Sequence, residues 1–221
     1  MTPAFFLLIF LSVADVSLNT PTAAQDPTDG SMFIPKVISI PEADLITKIS
    51  IVHGDIAVLN DSLKNADPCT AKGCKWPKSG NNVYIPYEIS SVYTHTESNI
   101  ILEGLKSFEW STCIRFVPKT SKDRDYIYFE SQEGCWSFVG RQGQKQYLSL
   151  QRRGCLYYGT VQHEVLHALG FHHEQCRSDR DKYIRVYTKN IIKGEKDSFR
   201  KVPTNNLETP YDFFSVMQYS R

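Results

Sequence analysis

The sequence has no surplus of charge of either sign and no long basic run; its 221 residues carry a formal net charge of +1. It therefore gives no reason to expect nucleic acid or an acidic membrane surface as a partner. Beyond the N-terminus it also has no apolar run long enough to cross a bilayer. With 41% hydrophobic and 12% aromatic residues, the composition is that of one globular domain with accessory segments.

The N-terminus carries the one prominent apolar run, which ends at Ser12-Val13-Ala14. The run is too short to span a membrane, and small residues follow it where a signal peptidase cleaves. No Lys or Arg precedes it, which leaves a plain apolar N-terminus as the alternative. We interpret residues 1–14 as a secretory signal, so the protein is expected to be extracellular and its six cysteines to favour disulfides.

Alternating and periodic apolar residues predict a chain of strands with two helices. One helix is expected from a cap at Thr96 to about Trp110, because Ile101, Leu105 and Phe108 share a face. A second is expected from about Thr160 to Leu169. Pro86 suggests that its strand lies at a sheet edge or ends there. The predicted strands are 83–87, 113–117, 126–129, 135–140 and 146–150.

Residues 163–173 read HEVLHALGFHH and contain the pattern HExxHxxGxxH. A bare pair of histidines on a helix is often a surface accident, but the additional Gly and His at fixed offsets make chance a poor explanation. His163 and His167 share a helix face, and Gly170 allows the chain to turn back so that His173 joins them. The pattern predicts a zinc site with three protein ligands and one open position, which is typical of a catalytic site.

Glu164 lies beside the first histidine, where it can act as a general base toward a water molecule that zinc acidifies. It would then pass the proton to the leaving amine. The expected reaction is hydrolysis of a peptide bond without a covalent intermediate.

Ser215-Val216-Met217-Gln218-Tyr219 follows the zinc motif at a distance and resembles the Met-turn of the metzincins. Together with residues 170–175 and 177–181, it makes the chain similar to the astacin family of zinc proteases. The resemblance implies an α+β fold with a twisted mixed sheet, two main helices and one zinc ion at the floor of a cleft. It also implies that His163, His167 and His173 bind zinc, that Glu164 is the catalytic base, and that Tyr219 is a further ligand and a catalytic residue.

The same resemblance implies that the protein is made as a zymogen. Gly54-Asp55 matches the end of the family's FxGD motif, in which the aspartate binds zinc in the latent form; a simple Gly-Asp turn is the alternative. Val52 stands where that motif has Phe. Residues 15–64 are then the propeptide and 65–221 the protease domain, with an activating protease cleaving near Lys64-Asn65. Glu174 resembles the glutamate that contacts the mature N-terminus.

The N-terminal pair Cys69 and Cys74 resembles the six-cysteine hatching enzymes of fishes, and the surrounding residues look like the low choriolytic kind. Egg-envelope proteins are therefore the expected substrate. The resemblance implies the disulfides Cys69–Cys74 and Cys135–Cys155. It pairs Cys113 with a cysteine near the C-terminus of the catalytic domain that this sequence lacks, so Cys113–Cys176, a free Cys176 and zinc binding by Cys176 all stay open.

The chain also departs from the family's pattern. Gln218 replaces a usual His, His172 replaces an aromatic residue, and the sequence stops at Arg221, short of the family's usual end. We expect an incomplete C-terminal subdomain, which predicts impaired activity of this chain. The competing hypotheses are a non-catalytic extracellular zinc-binding protein and a disulfide-stabilised binding module.

Overall fold

Eight strands of the described residues form one mixed sheet. The computed structural model describes residues 48–59 and 73–219, which belong to one compact unit beginning at Lys48. The strands are β1 (Ile49–Val52), β2 (Ile56–Leu59), β3 (Lys78–Ser79), β4 (Asn82–Ile89), β5 (Ile114–Pro118), β6 (Tyr126–Glu130), β7 (Cys135–Phe138) and β8 (Lys145–Leu150). The five predicted strands are confirmed, with ends that move by one or two residues.

The sheet order is β1-β2-β7-β8-β6-β4-β3, and β5 also pairs with β4. Strands β5, β4, β6 and β8 run parallel to one another, whereas β3 is antiparallel to β4 and β7 is antiparallel to β8. The hairpin β1–β2 joins the sheet because β2 pairs in parallel with β7. The N-terminal hairpin thus occupies the edge that β7 would otherwise present.

Pro86 lies in the middle of β4, so its predicted place at an edge or strand end is wrong. The Tyr87 carbonyl accepts a hydrogen bond from the N–H of Lys119, which follows β5. Pro86, one residue earlier, therefore directs its nitrogen to the opposite side of the strand. Pairing with β6 on that side begins only at Tyr87, so no ladder hydrogen bond is lost.

Helix α1 spans His95–Lys106 and is followed by a 3₁₀ turn over Ser107–Trp110, so the predicted end is confirmed. Its cap is Thr94 rather than the predicted Thr96. Thr94 and Glu97 form a reciprocal capping box, with the Thr94 N–H donating to Glu97 Oε2 (2.7 Å) and the Glu97 N–H to Thr94 Oγ1 (3.3 Å). Thr96 has no glutamate three residues later and cannot form this arrangement.

Helix α2 spans Tyr158–Leu169 and packs against α1 and the sheet. The shared core draws on both helices and the central strands. Its fully buried members include Ile85, Ile127, Leu148, Ile101, Leu105, Val161 and Val165. This core holds the helix that carries the HExxH motif in a fixed position.

The helices approach most closely where Gly104 of α1 meets Val161 of α2. A Cβ atom added to Gly104 would lie 2.5 Å from Val161 Cγ1. We expect Gly104→Ala to lower the free energy of unfolding by about 1–3 kcal/mol, despite the better helix propensity of Ala. Thermal unfolding measures this effect, and adding Val161→Ala to Gly104→Ala should recover part of the loss. If the losses of unfolding free energy from Gly104→Ala and Val161→Ala simply add in the double variant, the two residues are not in contact as described.

Candidate metal centre and active site

The helix that carries the HExxH motif ends as the sequence predicts. Gly170 adopts a left-handed conformation with φ of 109°, and its N–H donates to the carbonyl of His167 (2.8 Å). The Phe171 N–H donates to the Leu166 carbonyl (3.0 Å), and Trp76 Nε1 donates to the Ala168 carbonyl (2.9 Å). These bonds satisfy carbonyls of the last turn. The chain reverses at this point and brings His173 beside the helix.

The three motif histidines converge on one point. Their Nε2 atoms lie 3.2 Å from one another in each pairing. The carboxylate of Asp55 reaches the same point from the β1–β2 turn: its Oδ2 is 3.1 Å from His163 Nε2, and its Oδ1 is 2.9 Å from His173 Nε2 and 3.3 Å from His167 Nε2. The four side chains form a cluster with the composition of a metal site.

The cluster fits zinc. Four ligands at tetrahedral positions around zinc, with bonds of roughly 2.0–2.1 Å, lie about 3.3–3.4 Å apart, close to the spacing of the Nε2 atoms. His163 Nδ1 lies 2.8 Å from the Val216 carbonyl and His167 Nδ1 lies 2.7 Å from the Phe171 carbonyl. These acceptors place a proton on each Nδ1, so both Nε2 lone pairs point into the cluster. A cation is the group that such converging lone pairs and a carboxylate accommodate.

Burial and the Asp55 charge set the protonation of this cluster. Burial favours the neutral form of Asp55, but contacts with the three imidazoles outweigh it and hold the pKa of the carboxyl far below its usual range. Burial lowers the pKa of His167 to about 4 and also lowers the pKa of His173. For His163, burial is outweighed by the contact with Asp55, and its pKa is raised. An anionic Asp55 facing a neutral His167 is the form that a metal requires.

Glu164 is buried beside the cluster, with only 1% of its surface exposed. Its Oε2 has no hydrogen-bond partner among the described residues. It lines, together with His163, Asp55 and Thr160, a cavity of about 420 Å³. Burial, and next the charge of Asp55, raise the pKa of its carboxyl. An unpartnered carboxylate oxygen next to a metal cluster and an open cavity can exchange a proton with a bound molecule.

Tyr219 lies against the same cluster but is engaged by the hairpin. Its ring centroid is 4.5 Å from that of His173, and its hydroxyl donates to the backbone carbonyl of His53 (2.9 Å). Burial, then the nearby charge of Asp55, raise the pKa of the hydroxyl. In this structure the tyrosine therefore bonds the β1–β2 turn.

The β1–β2 turn fits the cleft through Gly54. This glycine has a φ of 95°, and a Cβ atom there would lie 2.2 Å from the Tyr219 hydroxyl oxygen. Immediately after it, the Asp55 carbonyl accepts the Ser137 N–H (3.0 Å), which fixes the turn on strand β7. Val52, which replaces Phe in the FxGD pattern, packs against the cluster of Ile56 and Val139. The turn is held on its metal-facing side and on its sheet side.

The bonding state of the cysteines decides between the alternatives that the sequence left open for Cys113 and Cys176. The disulfide Cys135–Cys155 is confirmed, with a Cα–Cα distance of 5.7 Å. Cys74 is disulfide-bonded, while its predicted partner Cys69 lies outside the described residues. Cys113 and Cys176 are both free, so the Cys113–Cys176 pairing is wrong.

The thiol of Cys176 is buried and donates to the Ser198 carbonyl (3.3 Å). Burial raises its pKa to about 12. Within the part of the chain that the structure describes, the metal cluster contains Asp55 and the three histidines and no cysteine. The idea that Cys176 binds zinc is therefore wrong.

Glu174 and Gln175 connect the zinc motif to the Met-turn. Glu174 Oε1 accepts hydrogen bonds from Arg177 Nη1 (2.9 Å) and from the Asp212 N–H (2.9 Å). Its predicted contact with a new N-terminus near residue 65 falls outside the described residues. Gln175 is fully buried, and its Oε1 accepts the Tyr219 N–H (3.0 Å). No feature of the sequence around Gln175 identified this function, because the bond joins residues 44 positions apart.

Gln218, which replaces the family's usual His, holds the other side of the tyrosine backbone. Its Nε2 donates to the Tyr219 carbonyl (3.0 Å), and its Oε1 accepts from the Tyr211 hydroxyl. Both backbone polar groups of Tyr219 are thus bound by glutamine side chains. The departure at Gln218 leaves Tyr219 next to the metal cluster.

Comparison with known proteins agrees with this geometry. Residues 70–221 match the peptidase family described as Astacin. High choriolytic enzyme 1 of Oryzias latipes is 43% identical over 194 residues, which cover 87% of this chain and 71% of that protein. Low choriolytic enzyme of the same fish is 42% identical over 174 residues, which cover 77% of this chain and 63% of that protein. High choriolytic enzyme 2 is covered over 61% of its length.

The solved structure of high choriolytic enzyme 1, described as a hatching enzyme zinc-protease of medaka, superimposes with a TM-score of 0.67 at 49% identity. The match covers 71% of this chain and 78% of that one. Among the described residues, no helix has the length and apolar character needed to traverse a membrane. The α+β fold and the zinc-compatible cluster agree with the expectation from sequence, and the chain belongs to the astacin family of zinc metalloendopeptidases.

Proposed function

We propose that this protein is a secreted zinc endopeptidase made as a zymogen, and that the structure corresponds to its latent form. The observation that carries the proposal is the convergence of His163, His167 and His173 within 3.2 Å of one another, with the Asp55 carboxylate closing the cluster. The buried, unpartnered oxygen of Glu164 lies next to it. This donor set fits a zinc protease whose open position is occupied by its own chain.

In the proposed mechanism the three histidines hold one zinc ion. Zinc would supply Lewis acidity, which polarises the peptide carbonyl and acidifies a water molecule. Glu164 accepts the proton of the attacking water and returns it to the leaving amine, so one carboxylate serves first as base and then as acid. The low dielectric around Glu164 strengthens these electrostatic effects.

Tyr219 is proposed as a further metal ligand and as a donor to the oxygen that develops negative charge. Its ring contact with His173 supports this assignment, and its hydroxyl is a donor of the required kind. In the latent form that hydroxyl is bound to His53. Release of the hairpin would free it for the substrate.

Latency is proposed to rest on residues 15–64, after removal of a signal at 1–14. Asp55 would hold zinc in the zymogen only, and β2 covers the edge of β7 where a substrate strand would otherwise pair. Cleavage near Lys64-Asn65 by an activating protease would separate the hairpin from the protease domain, residues 65–221. The disulfide Cys135–Cys155 supports an extracellular location.

The substrate class is proposed from the relatives. They are named choriolytic enzymes, and one is described as a hatching enzyme. Proteins of the egg envelope are therefore the proposed substrate.

The proposal is tested by treating the full chain with a protease that cleaves after Lys64 and measuring hydrolysis of an unfolded protein. We expect no turnover before cleavage, turnover after it, loss with a zinc chelator and recovery when zinc is added back. Turnover that persists without metal would contradict the mechanism. Stoichiometric zinc binding without turnover would favour the non-catalytic alternative.

Gln175 is expected to act through Tyr219. Gln175→Leu removes the acceptor of the Tyr219 N–H, which should lower kcat about fivefold with little change in KM, because a buried hydrogen bond contributes about 1 kcal/mol. Gln175→Glu keeps the acceptor oxygen and should retain most of the activity. In a Tyr219→Phe background the effect of Gln175→Leu on kcat should largely disappear. An undiminished effect there, or zinc loss from Gln175→Leu, would assign Gln175 to support of His173 instead.

A further inference from the structure

Positive charge is concentrated in one segment next to the zinc cluster. Residues 180–201 contain eight basic and three acidic residues, a net charge of +5, whereas the whole chain has +1. The remaining residues therefore have a net charge of −4, so the near-zero net charge of the whole chain does not reveal this basic segment. The basic residues are Arg180, Lys182, Arg185, Lys189, Lys193, Lys196, Arg200 and Lys201.

Internal ion pairs neutralise only part of this charge. Asp181 pairs with Arg180 (2.9 Å) and Lys201 (2.6 Å), and Asp197 pairs with Arg200 (3.3 Å). The third acid, Glu195, accepts from the Ser198 hydroxyl. Five basic side chains remain exposed and have no ion-pair partner in residues 48–59 and 73–219. They are Lys182, Arg185, Lys189, Lys193 and Lys196.

Exposed apolar and aromatic side chains lie among these cations. Tyr187 is 56% exposed and Ile192 is 76% exposed. A cavity of about 280 Å³ lies at the start of the segment and is bordered by Ile184, Arg185 and Val186. Such a surface offers short-range apolar contact together with attraction to an acidic partner.

The two ends of the segment lie against residues next to the zinc motif, and at the first end Arg180 Nη1 donates to the carbonyl of Gln175 (2.5 Å). The guanidinium of Arg180 is buried and donates to the carbonyl of Phe199 (2.6 Å), which closes the segment on itself. The ring of Phe199 lies 6.0 Å from the ring of Tyr219. Ser198 accepts the Cys176 thiol through its carbonyl. Its side chain also approaches Gly54, 3.6 Å from where a Cβ would lie. The two ends of the basic segment therefore lie beside Gln175, Tyr219 and the β1–β2 turn.

We propose that residues 182–196 form an exosite that binds an acidic stretch of the protein substrate while the scissile bond lies at the zinc cluster. This inference rests on the proposed function and specifies which protein substrates the site would favour. A polypeptide is the occupant because both ends of the segment lie beside Tyr219, so a chain bound at the zinc cluster can extend onto the segment. The charge supplies attraction over a Debye length, and the exposed tyrosine and isoleucine supply short-range contact.

The test compares two peptides with one cleavable core, flanked either by runs of glutamate or by runs of serine, on the chain activated by cleavage after Lys64. At low ionic strength we expect KM to be about tenfold lower for the acidic peptide, with kcat unchanged, because several weak surface contacts act together. The difference should shrink at about 0.5 M salt, where the Debye length is a few ångströms.

The segment variant is Lys189→Glu/Lys193→Glu/Lys196→Glu, and the matched control is Lys75→Glu/Lys78→Glu/Lys122→Glu, which reverses three exposed lysines elsewhere. The segment variant should lose the KM difference and keep normal turnover of the serine peptide. The control variant should retain the difference. An equal loss in both variants would overturn the exosite and indicate a general effect of net charge.

A binding measurement separates this proposal from the proposed function. Fluorescence anisotropy with the Glu164→Gln chain reports affinity for the labelled acidic peptide without cleavage. If the acidic peptide binds preferentially but the activated wild-type chain shows no turnover, the peptidase function is contradicted and the exosite stands. If turnover occurs without any KM difference between the peptides, the exosite alone is overturned. Binding to phosphatidylserine vesicles that the segment variant loses, with no preference for the acidic peptide, would assign the surface to membranes and overturn the proposal.

Discussion

Glu164→Gln is expected to lower kcat of the activated chain by about 10³-fold, the scale of general acid–base catalysis, while one zinc ion stays bound. The amide keeps the shape of the side chain but cannot accept a proton from water. Zinc binding should persist because Glu164 is outside the cluster of Asp55 and the three histidines. Peptide hydrolysis gives kcat, and elemental analysis of the dialysed protein gives zinc content.

Glu103→Gln is a matched control, since this glutamate is exposed on helix α1. It should leave both kcat and zinc content unchanged. Turnover of Glu164→Gln within a few-fold of wild type would exclude Glu164 as the base. Loss of zinc from Glu164→Gln would show that the side chain supports the metal site, and the kinetic loss would then need another explanation.

Gly54→Ala is expected to make the uncleaved chain active. The added Cβ would lie 2.2 Å from the Tyr219 hydroxyl oxygen, and a φ of 95° is strained for alanine. Steric overlap and backbone strain together cost about 2–4 kcal/mol. If this free energy destabilises the docked β1–β2 hairpin, the fraction of molecules with the hairpin undocked rises roughly 30- to 700-fold. Peptide hydrolysis by the intact chain, with chain length checked on a denaturing gel, measures the change.

Gly80→Ala is the control for this change. Gly80 also has a positive φ, 60°, but a Cβ there would meet no atom within 4 Å. It should lower stability slightly and leave the uncleaved chain latent. Latency that survives Gly54→Ala would mean that Asp55 alone holds the hairpin, and Asp55→Ala would then be the change that releases it.

Local sequence was sufficient for the elements whose interactions are close in the chain. Residues 163–173 specify a helix with two histidines on one face, and Gly170 ends it because glycine tolerates the left-handed conformation. Alternating apolar residues predicted the strands. The prediction of Thr96 as the cap of α1 was wrong because Thr94 and Glu97 form a reciprocal capping pair. Resemblance to the family added Asp55 and Tyr219, whose motifs are too short to stand alone.

Tertiary structure decided the contacts between distant residues. Sequence spacing could not place the His53 carbonyl against the Tyr219 hydroxyl, 166 positions away, or the Tyr219 N–H against Gln175. It also could not separate Cys113 from Cys176, because a disulfide depends on Cα separation. The near-zero net charge of the whole chain also gave no sign of the basic segment 182–196, because at physiological salt a charge acts over only about 8 Å.

The sequence by itself thus determined the chemical identity of the metal centre, because ligand type and helical spacing are local properties. Only the tertiary structure decided how Asp55 reaches the three histidines, that Tyr219 is engaged by the hairpin, and where the ends of the basic segment lie. These features depend on how the sheet brings β2 against β7. Such packing is set by the whole core and is not encoded within any one stretch of the chain.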